Sequence, residues 1–513
     1  MRRRWTWMLV TALVALGLAA ACVILRAGRM PQVEGAVPAG RFPRLAPDYA
    51  GVTIPPNIAP LNFCLEEDGV CFYVRIHSAR GGAIEVSSRR GEVAIPLRPW
   101  RALLSENAGG ELVLDVHVQS ADGSWRRYEP VRNRIARERI DRYVSYRQFN
   151  VLFDPFRRMR IFQRSLEDFE REVVLDNRSF GDGCMGCHTC WNQGTEKAVL
   201  QVRAASENGG SGMLLLEGGQ VRKVSTITER TPRLAAFSSW HPSGELIAFS
   251  INKVKQFFHA ARTEIRDGVD LDSDLAVYVL DSGQVTSTKA IADPDRLESW
   301  PAWSADGRHL YYVSSPVPWK ERSKWPPEDY EQAMYDLMRI PYDLATQAWG
   351  EPETVLSAAE AGGSVTLPRP SPDGRFLVFC LSDYSTFPTF QPSSDLHLLD
   401  LATREWRRME CNSDRSESWH SWSSNSRWLA MGSKRDDGLF ERLYFAYVDE
   451  SGRAAKPFAM PEEDPAFYRS FFQVRQLPEL MDQPMPVTGE RLARLIRTLP
   501  WEEGQLPVTG ATP

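Results

Sequence analysis

The chain has no basic stripe. Its 61 Lys and Arg are outweighed by 66 Asp and Glu, giving a formal charge of -5, and that balance excludes nucleic acid as a partner. The βαβ context that would turn a CxxC pair into a thioredoxin-type redox site is also missing. Histidine and cysteine are scarce, eight of each in 513 residues, so a place where they crowd together carries information. What is abundant is turn and strand chemistry: 16 Trp, 35 Gly and 35 Pro describe a mainly β protein, because aromatics favour strands while Gly and Pro punctuate them. The length requires at least two globular domains.

Residues 1–29 stand apart. Arg2, Arg3 and Arg4 precede an uncharged, mostly apolar run from Trp5 to Leu25, long enough to cross a bilayer and flanked for a cytoplasmic start. A cleaved signal segment and a lipidated Cys22 compete with an uncleaved anchor. All three export the remainder, so the expected location is the outer face of the membrane that this run would cross. Export also permits disulfides: Cys64 and Cys71 flank the polar stretch Glu66 to Gly69, as in a hairpin with opposed cysteines, which makes a bridge between them an expectation.

Residues 30–60 hold seven prolines and read as an extended tether. Residues 61–135 alternate as short strands, predicting a small β-sandwich. Residues 136–195 mix aromatic and apolar residues at irregular and helical spacings, and read as a mainly helical or looped connector. From 196 to 470 a repeat recurs: SWHPSGELIAFS (239–250), AWSADGRHLYYVS (302–314), RPSPDGRFLVFCLS (369–382) and SWSSNSRWLAMGS (421–433). Each copy is a polar turn followed by an apolar strand, with a second strand pattern downstream, and MLLLEGGQVRKVS (213–225) adds a partial copy. Radial repetition of such units is a β-propeller. Residues 471–513 read as a tail, with a short amphipathic segment and two PVTG tetrads.

The chemistry concentrates in GDGCMGCHTCWNQ, where Cys184, Cys187 and His188 form CxxCH, the attachment signature of c-type haem. Two thiols add across the porphyrin vinyl groups and the adjacent imidazole becomes the proximal iron ligand. At this chain's Cys and His frequencies a chance match arises only about 0.002 times. A zinc site using Cys184, Cys187, His188 and Cys190 competes, against the rarity of adjacent residues binding one ion; so does a Cys184–Cys187 redox disulfide. Cys190 has no role in haem attachment and reads as a buried thiol.

For the distal side of the iron the candidates are His259, in an insertion after the first propeller strand, and then His241, with Met185 and Met213 also open. For either histidine a turn or packing role is the reading favoured over that of a ligand. The acidic run DGVDLDSD (267–274) lacks the Gly and distal Glu of an EF-hand loop and reads as a solvated blade turn. No catalytic residue is identified.

The repeat is similar to that of TolB-like propellers, best at 240–250 and 303–314. Together with PDYAGVTIPPNIAPLNF (47–63), VVLDNRSFGDGCMGCH (173–188) and KPFAMPEEDPAFY (456–468), it makes the chain resemble an exported bacterial family of TolB-like proteins with an embedded cytochrome-type CxxCH. The resemblance implies a propeller and covalent haem c held by Cys184, Cys187 and His188; it supplies no substrate. The expected function is that of a membrane-anchored monohaem electron-transfer protein that docks a redox partner. A non-redox envelope scaffold with structural haem and a haem enzyme with an open distal site are the alternatives.

Overall fold

The computed structural model describes residues 31, 33–150, 158–203, 211–229, 231–262, 264–320 and 325–506. The expected anchor at 1–29 lies outside them, and among the described residues no helix is long and apolar enough to cross a membrane.

Six sheets of four or five strands make up most of the chain, and their innermost strands touch in a closed ring: Gln473–Met481, Cys184–Cys190, Ala235–Trp240, Arg296–Trp303, Ser364–Pro370, Glu417–Trp422 and back to the first. This is a six-bladed β-propeller. Blades three to six are the four repeat copies, and the partial copy lies in blade two. A ring of sheets leaves few edges for stray pairing.

The repeat turn needs a left-handed residue, which Gly244, Gly307 and Gly374 supply at φ of 73°, 71° and 72°. The fourth copy puts Ser426 there at φ 59°, held by hydrogen bonds from its amide to Ser423 and to its hydroxyl from the Asp373 amide. A side chain at that conformation costs backbone strain, and these contacts offset it.

Two expectations about the ends of the propeller are corrected. Residues 136–195 are not a helical connector: Tyr143–Asn150, Arg160–Ser165 and Arg171–Asp176 are the outer three strands of blade one, and their aromatics alternate between blade faces. Residues 471–513 are not a loose tail through their described part, 471–506. Gln473–Met481 is the innermost strand of blade one, antiparallel to Tyr143–Asn150, so the two ends of the propeller close on each other. Helix Gly489–Thr498 buries Leu492, Ala493 and Ile496, and Trp501–Glu503 adds a parallel strand to blade two.

The closing strand is anchored by Arg475, fully buried and paired with Glu462 at 2.5 Å. Its guanidinium lies over Tyr146, Phe467 and Phe471. Glu462 also binds Arg164 at 2.9 Å, so the carboxylate is shared between two cations. Removing one member of such a buried set typically costs about 3–5 kcal/mol.

The N-terminal domain combines a seven-stranded and a three-stranded sheet with helix Leu97–Glu106, whose Trp100, Leu103 and Leu104 enter the core. The stretch expected as a tether belongs to this domain. Val37–Pro38, Leu45–Ala46 and Thr53–Ile54 are strands, and Tyr49, Val52, Ile54 and Ile58 are buried. Cys64 and Cys71 are free thiols in different sheets, not opposed partners of a hairpin, which corrects the expected bridge. The domain sits on blade six through Trp428 Nε1 donating to the Glu138 carbonyl and Ser424 donating to Asp141.

Glu67 ties the domain's first strands together. Burial alone would push its carboxyl up, but hydrogen bonds from Arg41, the Arg44 amide and Tyr128, with the Arg41 charge, hold it at about 2, against 4.5 ordinarily. A depressed carboxyl stabilises the fold above its unfolded pKa and loses that contribution as pH falls through its folded one. Acid titration monitored by fluorescence should therefore show about 2 kcal/mol lost between pH 4.5 and 2, and Glu67→Gln should abolish that increment.

Candidate functional site

Each innermost strand carries the same irregularity: two residues face one on the next strand, a β-bulge. The paired positions are Gly186 and Cys187, Phe237 and Ser238, Trp300 and Pro301, Leu367 and Pro368, Trp419 and His420, and Leu477 and Pro478. In five blades the first bulge residue is large, apolar and left-handed: Phe237, Trp300, Leu367, Trp419 and Leu477 have φ between 46° and 54°. Non-glycine residues hold that conformation only where the surroundings impose it. Phe237 stacks on Trp300 with centroids 3.5 Å apart, and Trp300 meets Trp419 edge-on at 5.4 Å.

Blade two is the exception. Its ring position is Gly186, and the residue opposite its bulge is Gln201, where the other blades place Phe249, Tyr312, Phe379, Met431 and Tyr146. Gly186 is not left-handed, a Cβ there would meet Gln201 at 3.0 Å, and beside this bulge opens a cavity of about 460 Å3 that both residues line. Cys184 and Cys187 both line it. The bulge is the cause: in a regular strand residues three apart point to opposite faces, and the extra residue brings both thiols to one side. Phe149, Met159, Phe237, Phe258 and Trp419 provide apolar wall, and Arg147, Arg203 and Arg266 provide positive charge.

A throat of about 20 Å3 shares Cys187, Phe237, Trp419 and Leu477 with this cavity and is lined by His188. The His188 side chain is 2% exposed. Neither ring nitrogen has a hydrogen-bond partner, a costly state for a buried polar group. Burial and the Arg147 charge push its pKa down to about 3, with the Ser145 backbone only partly opposing, so the imidazole is neutral with a lone pair available. Burial also pushes the Cys187 thiol up. Arg147 donates to the Met185 carbonyl at 2.8 Å and to Gln476 at 3.1 Å while its Nε has no partner.

The structure thus brings Cys184, Cys187 and His188 to one opening and places the distal candidates elsewhere. His241 caps the next blade's turn, with Nε2 3.0 Å from the Gly307 carbonyl and Nδ1 2.8 Å from Ser243 Oγ. His259 Nε2 is 3.0 Å from Asp267 in a different cavity. Met185 and Met213 are packed in blade cores. Cys190 is half-buried, its Sγ 3.5 Å from Met481 Sδ, and desolvation of the thiol pushes it far above the ordinary thiol range. Among the described residues no three His, Cys, Asp or Glu side chains converge to hold a metal ion, so Cys184, Cys187, His188 and Cys190 do not form the four-ligand zinc set. The acidic run is not a solvated turn either. It lies in strand Arg266–Val279 with Asp267 and Asp270 each 1% exposed, and burial raises Asp270 to about 7 against hydrogen bonds from Asn252 and the Lys253 amide.

The residues present fit a covalently attached haem: two thiols on one cavity, an unpartnered imidazole beside them, apolar walls and three guanidinium groups. The wall residues were not identified from sequence. Their signal is the spacing of Phe237, Trp300 and Trp419, each three residues before the repeat's Trp; carried back by one blade, that phase lands on Gly186.

No protein-family model matches the chain, and no curated protein does. Among solved structures it is similar to Kuenenia stuttgartiensis hydrazine synthase (14% identity, 53% of this chain and 65% of that one, TM-score 0.31). Oligogalacturonate lyase from Vibrio parahaemolyticus aligns at 12% identity over 75% of this chain and 100% of that one, TM-score 0.35. The β-propeller domain of the Trilobed protease from Pyrococcus furiosus aligns at 11% over 76% and 99%, TM-score 0.33. The chain therefore spans just under two thirds of the hydrazine synthase chain, and at such identities the likeness concerns fold alone.

Thiol access separates the cysteines. In protein produced without haem attachment, alkylation at neutral pH followed by peptide mass mapping should mark Cys184 well before Cys190, Cys380 and Cys411. Burial pushes Cys411 up to about 12 and the other two further, leaving almost no thiolate to react.

Proposed function

We propose that the chain is a monohaem protein of the bacterial cell envelope, with haem c attached through Cys184 and Cys187, His188 as proximal ligand, and a six-bladed propeller that docks a redox partner. The observation that carries this reading is that both thiols line one cavity of about 460 Å3 whose throat holds an imidazole without a hydrogen-bond partner. Haem, when bound, supplies one-electron chemistry at its iron. The remaining tasks fall to this chain's residues. Cys184 and Cys187 present two sulfurs on one side of a bulged strand. Among the described residues only the Ser145 backbone engages the His188 ring, and weakly, so one ring nitrogen keeps its lone pair. Phe149, Phe237 and Trp419 exclude water, which favours the neutral imidazole. Arg147 and Arg203 match propionate carboxylates, for which guanidinium groups are suited, while Arg266 is already paired with Glu264 at 3.1 Å.

The resemblance to exported TolB-like proteins with CxxCH supports the same reading. Arg2–Arg4 before the apolar run Trp5–Leu25 supports membrane anchorage with the propeller on the periplasmic side, and a protein electron donor or acceptor is the partner class this implies.

A second reading, a haem enzyme, is favoured by one observation. Apart from the motif itself, Met159 supplies the only His, Cys or Met side chain among the described residues that line the cavity. A sixth position left open would admit small ligands.

Two measurements on haem-matured protein separate these. Stopped-flow mixing with a reduced c-type cytochrome should transfer one electron per chain, and carbon monoxide should leave the reduced spectrum unchanged. Absence of electron exchange together with a carbon monoxide shift contradicts the electron-transfer reading in favour of the enzyme.

A further inference from the structure

Strands Leu246–Phe258 and Arg266–Val279 form a hairpin of 13 and 14 residues, longer than any other among the described strands. Only its first half belongs to blade three. The rest crosses the channel mouth to blades five and six, where Arg262 donates to Tyr384 at 2.6 Å and Lys434 donates to Glu264 at 2.5 Å. Alternation along the strand gives the crossing two faces. Val254, Gln256 and Phe258 line the cysteine cavity, while Phe257 packs edge-on to Trp325 and Tyr330 and His259 lines a second cavity, also of about 460 Å3. That volume lies within the range of small-molecule sites. Arg266 and Phe390 form part of both walls.

The second cavity has built polar groups. Asp267, with a side chain 2% exposed, accepts from Tyr384 Oη at 2.7 Å, the Gly268 amide at 2.8 Å and Gln391 at 3.3 Å, and it fixes His259 Nε2 at 3.0 Å. A buried carboxylate with all these partners is a means of orienting one imidazole. His259 Nδ1 makes no hydrogen bond among the described residues. Lys434, 3% exposed, spends two of its three donors on Glu264 and the Thr389 carbonyl. At the rim, the Arg415 guanidinium has no carboxylate partner among the described residues.

We propose that this cavity, lined by His259, Arg415 and Lys434, binds a small hydroxycarboxylate, with the carboxylate on Arg415 and the spare Lys434 donor and the hydroxyl on His259 Nδ1. Guanidinium pairs with a carboxylate in two parallel hydrogen bonds. Glu264, Asp267 and Asp383 also line the walls, so a ligand of low charge is preferred to a dianionic phosphate. The site does not depend on haem at Cys184 and Cys187.

Calorimetric titration of the full chain with the monoanions lactate and glycolate, beside inorganic phosphate and glycerol, tests this. At least one hydroxycarboxylate should bind saturably and better than phosphate or glycerol. Arg415→Ala, on the surface, and His259→Gln should each weaken it about tenfold or more, while Arg415→Lys retains part of the affinity. The double variant Cys184→Ala/Cys187→Ala should bind as the parent does, so failure of the haem reading leaves the result untouched. No saturation by any hydroxycarboxylate, stronger binding of phosphate, or affinity unchanged in both single variants overturns the proposal.

Discussion

The propeller depends on one long-range pairing, that of Gln473–Met481 with Tyr143–Asn150. Until it forms, blade one has no innermost strand and the ring is open between blades one, two and six, with unpaired strand edges exposed. Its two strands are separated by most of the propeller sequence, so pairing them costs the entropy of closing a very long loop. What offsets that cost is concentrated along the closing strand: Arg475 with Glu462 and three aromatic faces, and Gln476 donating to Glu441 and Thr389. The same segment fastens the N-terminal domain, since Asn62 donates to the carbonyls of Glu462 and Glu463. Closure of the ring and docking of the first domain therefore share one set of contacts.

Closure also makes the site. The cysteine motif is the innermost strand of blade two, and its neighbour on one side is the closing strand, where Met481 meets Cys190 and Leu477 enters the ring. Six bulges lie in one register, and in five of them the first residue is bulky and left-handed. The sixth, Gly186, is not left-handed and lies close against Gln201, and beside it is the cavity that Cys184 and Cys187 line. A repeated architecture thus carries a unique site at the one bulge whose first residue departs from the other five.

The repeat turns, with their glycines and following apolar strands, are local signals, and blades three to six were legible from them. CxxCH was equally legible, because its spacing is its chemistry. Blade one was not: its strands come from both ends of the propeller, and no local pattern in Tyr143–Asn150 announces a partner more than three hundred residues away. The tether was misjudged because seven prolines suppress strand periodicity, yet the stretch carries Tyr49, Val52, Ile54 and Ile58, which burial against the first domain claims. His259 drew attention by lying in an insertion, and it does line a cavity, but the hairpin's alternation turns it away from the cysteines. That sidedness needs the strand register, which the sequence does not mark.

The central claim is that the two thiols lining the cavity beside the blade-two bulge hold haem covalently. A pyridine haemochrome spectrum of chain matured with a c-type cytochrome assembly system tests it most directly. The account predicts the spectrum of a thioether-linked haem at one per chain, resistant to acid–acetone extraction and absent from Cys184→Ala/Cys187→Ala. Haem that extracts freely, or no haem at all from a folded chain, would contradict it.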